Sequence, residues 1–415
     1  MKTVFIHSNY PGQFLHLAPA VAQALSAEVI FLTQSDNPQS LSLSGVRVER
    51  FQPHRKPGKE VHKYLHQLEK AVLNGQAVLR KLLDLRANNF EPDLIIAHAG
   101  QGFLAYVKSV FPKCKIIAYA EWYFKRQNLL ALSPGLPVDN ILNAETANLA
   151  LVQDLLQADA IVCPTKWQIS QFPNEFLPSI NCIFDGVDTQ LFSNVKCSGH
   201  LEISGIVGDK SITIDPNSLL LTYGTRGMEP LRGFPQFMRA AANAQKKFSN
   251  LQVVVFGQDR CVYSELMPHI VCPSSTGSWK AALLEELKGM LDLSRLHFPG
   301  LISYKTLSQL YKRSNLHCYF TEPFVVSWGI FEAAASGCPL LINDFYGLDE
   351  VFDDPCGITT VDLSNQNDID LSVVNQLQAS HYEHCSSRLA NGKDLQSSLK
   401  AWIQLIFSVC KISSN

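Results

Sequence analysis

The chain has 415 residues, 46% of them hydrophobic, and a formal net charge of −2 at pH 7. That length exceeds one ordinary core and predicts two domains. The near-neutral charge argues against nucleic acid as a partner, and no apolar run nears the roughly 20 residues of a bilayer span. The eleven cysteines include no CxxC pair and no Cys/His cluster at zinc spacing, which reads as reduced, mostly buried thiols in a cytoplasmic protein.

In chain order, Thr3–His7, Glu28–Thr33, Asp93–His98, Lys115–Ala120 and Ala160–Pro164 are short apolar runs that predict strands. The first reads as a buried strand and lacks the long apolar region of a signal peptide. Helical patterns lie between the strands at His16–Leu25, Val61–Arg86, Phe103–Val110 and Ala144–Leu156. Strand signals lapse near Asp185–Ser204, and the rhythm then restarts. Strands are predicted at Ser218–Tyr223, Leu251–Phe256, Leu296–Phe298, Leu316–Phe320 and Pro339–Ile342. Helices are predicted at Phe234–Phe248, Ser278–Leu291, Tyr304–Lys312 and Trp328–Ser336, with a last one at Leu395–Cys410. Alternation of this kind predicts two α/β halves, each a doubly wound parallel sheet. Ligands then belong beyond the carboxyl ends of the strands.

Two segments of the second half carry anion chemistry. Tyr223–Phe234 sets Arg226 and Arg232 about a loop with glycine and proline; a guanidinium offers a planar fork of donors that suits phosphate. Glu322–Gly337 opens a helix with a short loop, so backbone N–H groups near Ser327, Trp328 and Gly329 present a positive helix end. Glu332, one to two turns in, is placed to meet a ribose joined to that anion. The side chains of Trp328 and Phe331 read as core.

In the first half, Gly12 in the loop Ser8–Phe14 permits a turn or a close ligand approach. His98 and Glu121, at two strand ends, are candidates for contacting a sugar or an acceptor. Ala99–Ala105 holds a GxGxxA pattern with Glu121 following, a weak sign of a dinucleotide site. The basic stretch His54–Lys70 reads chiefly as a solvated face, with contact to a membrane surface or anionic acceptor as the lesser reading.

Taken together, the chain resembles the group 1 glycosyltransferases, glycosyltransferase family 4. The resemblance runs from Asn9–Phe14 to about Glu350 and is most specific at Pro164–Gln168, Asp185–Asp188, Arg226–Phe234 and Pro323–Gly337. It implies the GT-B fold, two facing Rossmann-like doubly wound domains with an interdomain cleft. Residues 1–190 would bind the acceptor and 191–390 the nucleotide sugar, and the helix in 391–415 would cross back to the first domain. It also implies hexosyl transfer with retention from a UDP- or GDP-sugar to a sugar, lipid or small molecule, with no metal or other cofactor. By resemblance Arg226 and Arg232 hold the diphosphate, Glu332 the ribose, and Gly12 lies near the phosphates. Backbone groups at Leu301 and Ile302 would meet the base. Two positions depart from the pattern: Phe324 stands where the first of two paired glutamates is expected, and Glu121 where a histidine often touches the donor sugar. A nucleotide-sugar 2-epimerase and a non-catalytic nucleotide-sugar binder are the alternatives.

Overall fold

The computed structural model describes residues 1–38, 41–195, 197, 199–206, 211–262, 271–344, 347–354, 356–379 and 388–411. Residues 196 and 198 of the expected domain break lie outside them. Seven strands form the first sheet: β1 Lys2–His7, β2 Glu28–Thr33, β3 Val46–Arg50, β4 Leu94–His98, β5 Lys115–Tyr119, β6 Ala160–Cys163 and β7 Ile180–Cys182. A hairpin follows, β8 Leu201–Ser204 with β9 Ser211–Ile214. The second sheet comprises β10 Leu219–Gly227, β11 Leu251–Gln258, β12 Leu296–Gly300, β13 Leu316–Tyr319, β14 Leu340–Asn343 and β15 Ile358–Val361.

The helices are α1 Leu17–Ala24, α2 His66–Ala87, α3 Val107–Val110, α4 Arg126–Leu132, α5 Val138–Gln157 and α6 Lys166–Ile169 in the first part of the chain. They continue as α7 Phe234–Lys247, α8 Trp279–Glu286, α9 Tyr304–Arg313, α10 Trp328–Ala335, α11 Gln366–Gln378 and α12 Leu395–Cys410. The chain divides into two units, one of Met1–Leu130, Pro137–Gly186 and Leu395–Asn415, the other of Ala131–Leu136 and Val187–Asp394.

Both large sheets are parallel throughout, in the orders β3-β2-β1-β4-β5-β6-β7 and β12-β11-β10-β13-β14-β15. Successive residues of a strand point to opposite faces. In the first unit Val4, Ile6, Ile95 and Ala97 join Leu82 and Leu151 in one core, while Phe5, Phe31, Ile96 and Ile117 join Trp402 and Ile406 in the other. The last helix, α12, therefore belongs to the first unit's interior. Each large apolar side chain so buried contributes roughly 1.5–3 kcal/mol. The second unit packs α7 and α11 on its sheet through Phe237, Met238, Ile369 and Val373.

Several sequence expectations change. Strands β3, β7 and β15 were not predicted; they are the edges β3 and β7 of one sheet and β15 of the other, and only partly buried. The stretch Phe103–Val110 is helical only over Val107–Val110. Strand β10 continues past Tyr223 to Gly227, so Arg226 lies in a strand rather than in a loop. Gly224 makes that possible, because a Cβ there would fall 1.9 Å from the Phe256 ring lying across it. The helix expected over Val61–Arg86 begins with a separate 3-10 turn, Lys63–Leu65.

Gly233 joins the turn Pro230–Arg232 to α7 with φ +64°. A Cβ there would sit 2.5 Å from the Cβ of Phe320. Gly233→Ala combines left-handed strain with a steric overlap and should cost about 2–4 kcal/mol. Urea unfolding should show a lower midpoint for the second unit; an unmoved midpoint contradicts this packing.

Candidate functional site

A parallel sheet whose strand order reverses opens a crevice at the reversal, beyond the carboxyl ends of the two strands concerned. In the second unit these strands are β10 and β13; in the first they are β1 and β4. The residues at both places carry the chemistry.

At the β10/β13 reversal, Pro230 starts the 3-10 turn and Arg232 ends it. Arg232 is 8% exposed. Its Nη1 donates to Thr321 Oγ1 at 2.6 Å, and both Nη atoms lie 3.4 Å from the Val325 carbonyl. The Glu322 N–H donates to the Leu231 carbonyl at 2.9 Å. Thr321 in turn exchanges two hydrogen bonds with the Asn343 side chain at the end of β14. The structure thus ties the Arg232 turn to the segment that opens α10. Arg226 is exposed at the end of β10.

Ser327 is the N-cap residue of α10 and makes no side-chain cap; its own N–H donates to Tyr319 Oη at 3.1 Å. Trp328 is half-buried and Phe331 fully buried. Gly329 faces Tyr311, whose Oη would lie 3.3 Å from a Cβ at that position. Glu332 is 8% exposed, and burial pushes its carboxyl up to about 8. A carboxyl in that state is stabilised by any ligand that brings hydrogen-bond donors. Phe324 is buried. Glu322 is half-buried, its carboxyl also raised by burial. The Leu301 carbonyl accepts from the Ile206 N–H at 2.6 Å, and Ile302 bridges Gly205. The backbone stretch expected at the base is therefore already paired in part within the unit.

At the β1/β4 reversal, the register sets His98 beside Tyr119, so Glu121 lies just beyond. Glu121 Oε2 is 3.2 Å from His98 Nε2, and Oε1 accepts from Gln13 Nε2 at 2.9 Å. The Glu121 carbonyl accepts from Gln168 Nε2 at 2.9 Å. Burial alone would lower the His98 imidazole, but Glu121 and the Ala99 carbonyl outweigh it and raise it above 6.5. Burial would likewise raise Glu121, yet His98 and Gln13 hold it below the usual carboxylate range. His7 packs edge-on against His98, ring centroids 5.0 Å apart, and burial followed by the His98 charge pushes it down to about 4. Tyr119 Oη donates to Asp185 at 3.0 Å.

The structure brings His98 and Glu121 together, and it adds His7, Gln13, Tyr119 and Asp185, none of them a site candidate in the sequence. The available signal was position: His7 ends β1, Tyr119 ends β5, and Gln13 lies in the loop beside Gly12. Gly12 has φ +56°, and a Cβ there would meet the His7 ring at 2.8 Å. The left-handed φ and that ring both favour glycine here.

The GxGxxA loop is answered differently. Its N–H groups at Gly100, Gly102 and Leu104 all donate to the Asp154 carboxylate of α5, at 2.9, 3.1 and 3.1 Å. A Cβ on Gly102 would lie 2.2 Å from the Ala71 carbonyl. The amides a dinucleotide phosphate needs are thus occupied by the protein's own acid, and the dinucleotide reading is dropped. Among the described residues no group of His, Cys, Asp and Glu comes together as a metal site, and no helix is long and apolar enough to cross a membrane.

Residues 26–192, most of the first unit, match the family model described as glycosyl transferase family 4 group. No curated protein matches the chain. Among solved structures, the chain is similar to HepE of Anabaena in complex with UDP and glucose (14% identity, TM-score 0.64, covering 98% of this chain and 100% of that one). It is also similar to sucrose-phosphate synthase of Thermosynechococcus elongatus (13%, TM-score 0.65, all of both chains). A glycosyltransferase of Rickettsia africae aligns over 99% of both chains at 10% identity with a TM-score of 0.61. The structural likenesses give the fold as GT-B, and the family-model match over residues 26–192 agrees with the resemblance to group 1 glycosyltransferases.

Asp154 has its own pH signature. Burial raises it from 3.8 to about 6, against the three amides that hold it down. The folded state therefore binds a proton more tightly than the unfolded chain, and stability falls as pH rises from 3.8 to about 6, then levels. Asp154→Asn should remove that slope. Asp154→Ala leaves three amides without an acceptor and should destabilise the first unit by about 2–4 kcal/mol. Denaturant titrations at several pH values check both.

Proposed function

We propose that the chain is a retaining glycosyltransferase that moves a hexosyl group from a UDP- or GDP-sugar to a sugar, lipid or small-molecule acceptor. The observation that carries this reading is the buried Arg232 guanidinium, held against the loop that opens α10. The turn after β10 supplies a cation, and the segment it is tied to supplies a helix start with the Glu332 carboxyl one to two turns in, the groups that a diphosphate and its ribose require. The domain resemblance and the UDP-bound neighbour support the same donor class.

In this reading the second unit binds the donor and the first presents the acceptor. Arg226 and Arg232, with the amides near Ser327–Gly329, neutralise charge that grows on the diphosphate as its bond to the anomeric carbon breaks. The acceptor oxygen bonds to that carbon from the face the diphosphate leaves, and a phosphate oxygen takes the acceptor proton. The products are the glycoside and the nucleoside diphosphate. Guanidinium groups supply the charge that a metal supplies elsewhere, so the reading includes no metal. Glu332 accepts from the ribose hydroxyls. Phe324, buried where a sugar-facing acid was expected, leaves the choice of sugar to other residues, and Leu301 and Ile302 border the base.

Removing a donor at such a site typically lowers turnover by about 10²–10³. Arg232→Ala and Arg226→Ala should each lose at least about 100-fold in transfer from a UDP-sugar. Wild-type rates in both would exclude the clamp. Epimer formation from a UDP-sugar without acceptor would instead favour the 2-epimerase of the same fold. Glu332 gives an independent readout. Its carboxyl is protonated below about 8 in the free protein, and ribose hydroxyls favour its charged form. Binding of UDP-glucose at pH 7 should therefore release protons, measured by calorimetry in buffers of different ionisation enthalpy, and Glu332→Gln should abolish the release.

A further inference from the structure

Two cysteines meet at the edge of the first sheet. Strand β7 is an edge of three residues, and its register on β6 pairs Ile180 with Ile161 and Cys182 with Cys163. Ile161 lies in the core that covers one face of the sheet, and Ile180 packs against it. Side chains alternate along a strand, so Cys163 and Cys182, two residues further on, share that face. Cys182 Sγ lies 4.0 Å from the carbonyl of Pro164, the residue after Cys163. Both side chains are thiols. Neighbouring strands run about 4.8 Å apart, within the Cα separations that disulfides span.

Their surroundings set the order in which they react. Cys182 is exposed, whereas Cys163 is fully buried. An oxidant in solution therefore reaches Cys182 first. Burial pushes the Cys163 thiol well up, and the charges of Cys182, Glu121 and Asp185 act the same way, against the Thr165 N–H. Such a thiol is inert toward solutes. It still reacts with a disulfide held against it, because the contact replaces a bimolecular encounter. A disulfide also needs the two Cβ atoms somewhat closer than parallel strands hold them. As the edge strand, β7 can supply that small shift.

We propose that Cys163 and Cys182 form a modification site, which a small-molecule disulfide such as oxidised glutathione converts to a protein disulfide. The Cys182 thiolate attacks one glutathione sulfur and forms a mixed disulfide. The first glutathione leaves as a thiolate and takes the proton that Cys182 gave up. The Cys163 thiolate then attacks the Cys182 sulfur and displaces the second glutathione, which takes the Cys163 proton. Two protein thiols are thus oxidised by two electrons, and one oxidised glutathione is reduced to two thiols. The new bond tethers β7 to β6 one residue before Ile183, whose N–H donates to the Cys163 carbonyl at 3.1 Å. It also fixes the chain on its way to Asp185, the acceptor of Tyr119 Oη.

The test treats the folded full chain with oxidised glutathione and follows the products by mass spectrometry. Trypsin separates the two cysteines, since peptides 127–166 and 167–196 hold one each. Wild type should first carry glutathione on 167–196, then lose it as the two peptides become linked. Cys163→Ser should stop at the adduct, and Cys182→Ser should form neither product. Cys163→Ala, which buries no hydroxyl, should behave as Cys163→Ser does. In hydrogen exchange the link should slow the Ile183 amide at least about tenfold, and dithiothreitol should restore its rate. An adduct on Cys182 that persists in wild type, or no adduct at all, overturns the proposal. So does a link that forms only in urea, or one that leaves the Ile183 amide unchanged.

Discussion

The Arg232 guanidinium is buried beside a threonine hydroxyl and a backbone carbonyl, and a charge so placed must be held by acceptors and oriented by its surroundings. Those acceptors belong to Thr321 and Val325, on the segment between β13 and α10. The same segment is fastened to the Arg232 turn by the Glu322–Leu231 backbone bond and to β14 by Asn343. Gly233 follows at once, because no side chain fits between the turn and Phe320. The geometry of the proposed donor site therefore follows from close packing at one strand-order reversal. Arg226, on the exposed end of β10, is positioned by the extension of that strand across Gly224.

The first unit solves the same topological problem with different chemistry. Its reversal brings two histidines and a carboxylate together rather than an arginine and a helix start. Nearby, the loop that most resembles a phosphate cradle has Asp154 bonded to three of its amides. An internal carboxylate there stabilises the loop and removes it as an anion site. The two units share a winding, but the second sets a guanidinium beside a helix start at its reversal.

Much of this was legible in the sequence. The central strands are continuous apolar runs, since parallel strands are covered on both faces. Strands β3, β7 and β15 were missed because they are edges whose residues stay partly exposed. Phe103–Val110 has apolar residues at helical spacing, but its start belongs to the loop that Asp154 holds through Gly100, Gly102 and Leu104, and only Val107–Val110 is helical. The Arg226–Phe234 and Pro323–Gly337 segments stood out by their residues, and both fall in the second unit. Their union was not visible, since Arg232 and Thr321 are brought together only by the neighbouring of β10 and β13. The His98–Glu121 pair depends in the same way on the β4/β5 register. Gly12 read in the sequence as a turn or a close ligand approach, and in the structure it has a left-handed φ beside the His7 ring.

Hydrogen–deuterium exchange of the full chain with and without UDP tests the central claim most directly. The account predicts new protection of amides in 226–234 and 322–332, where Arg232 and the start of α10 meet. It predicts none in 99–104, where Asp154 already holds the loop. Protection confined to 99–104, or absent from both second-unit segments at saturating UDP, would contradict it.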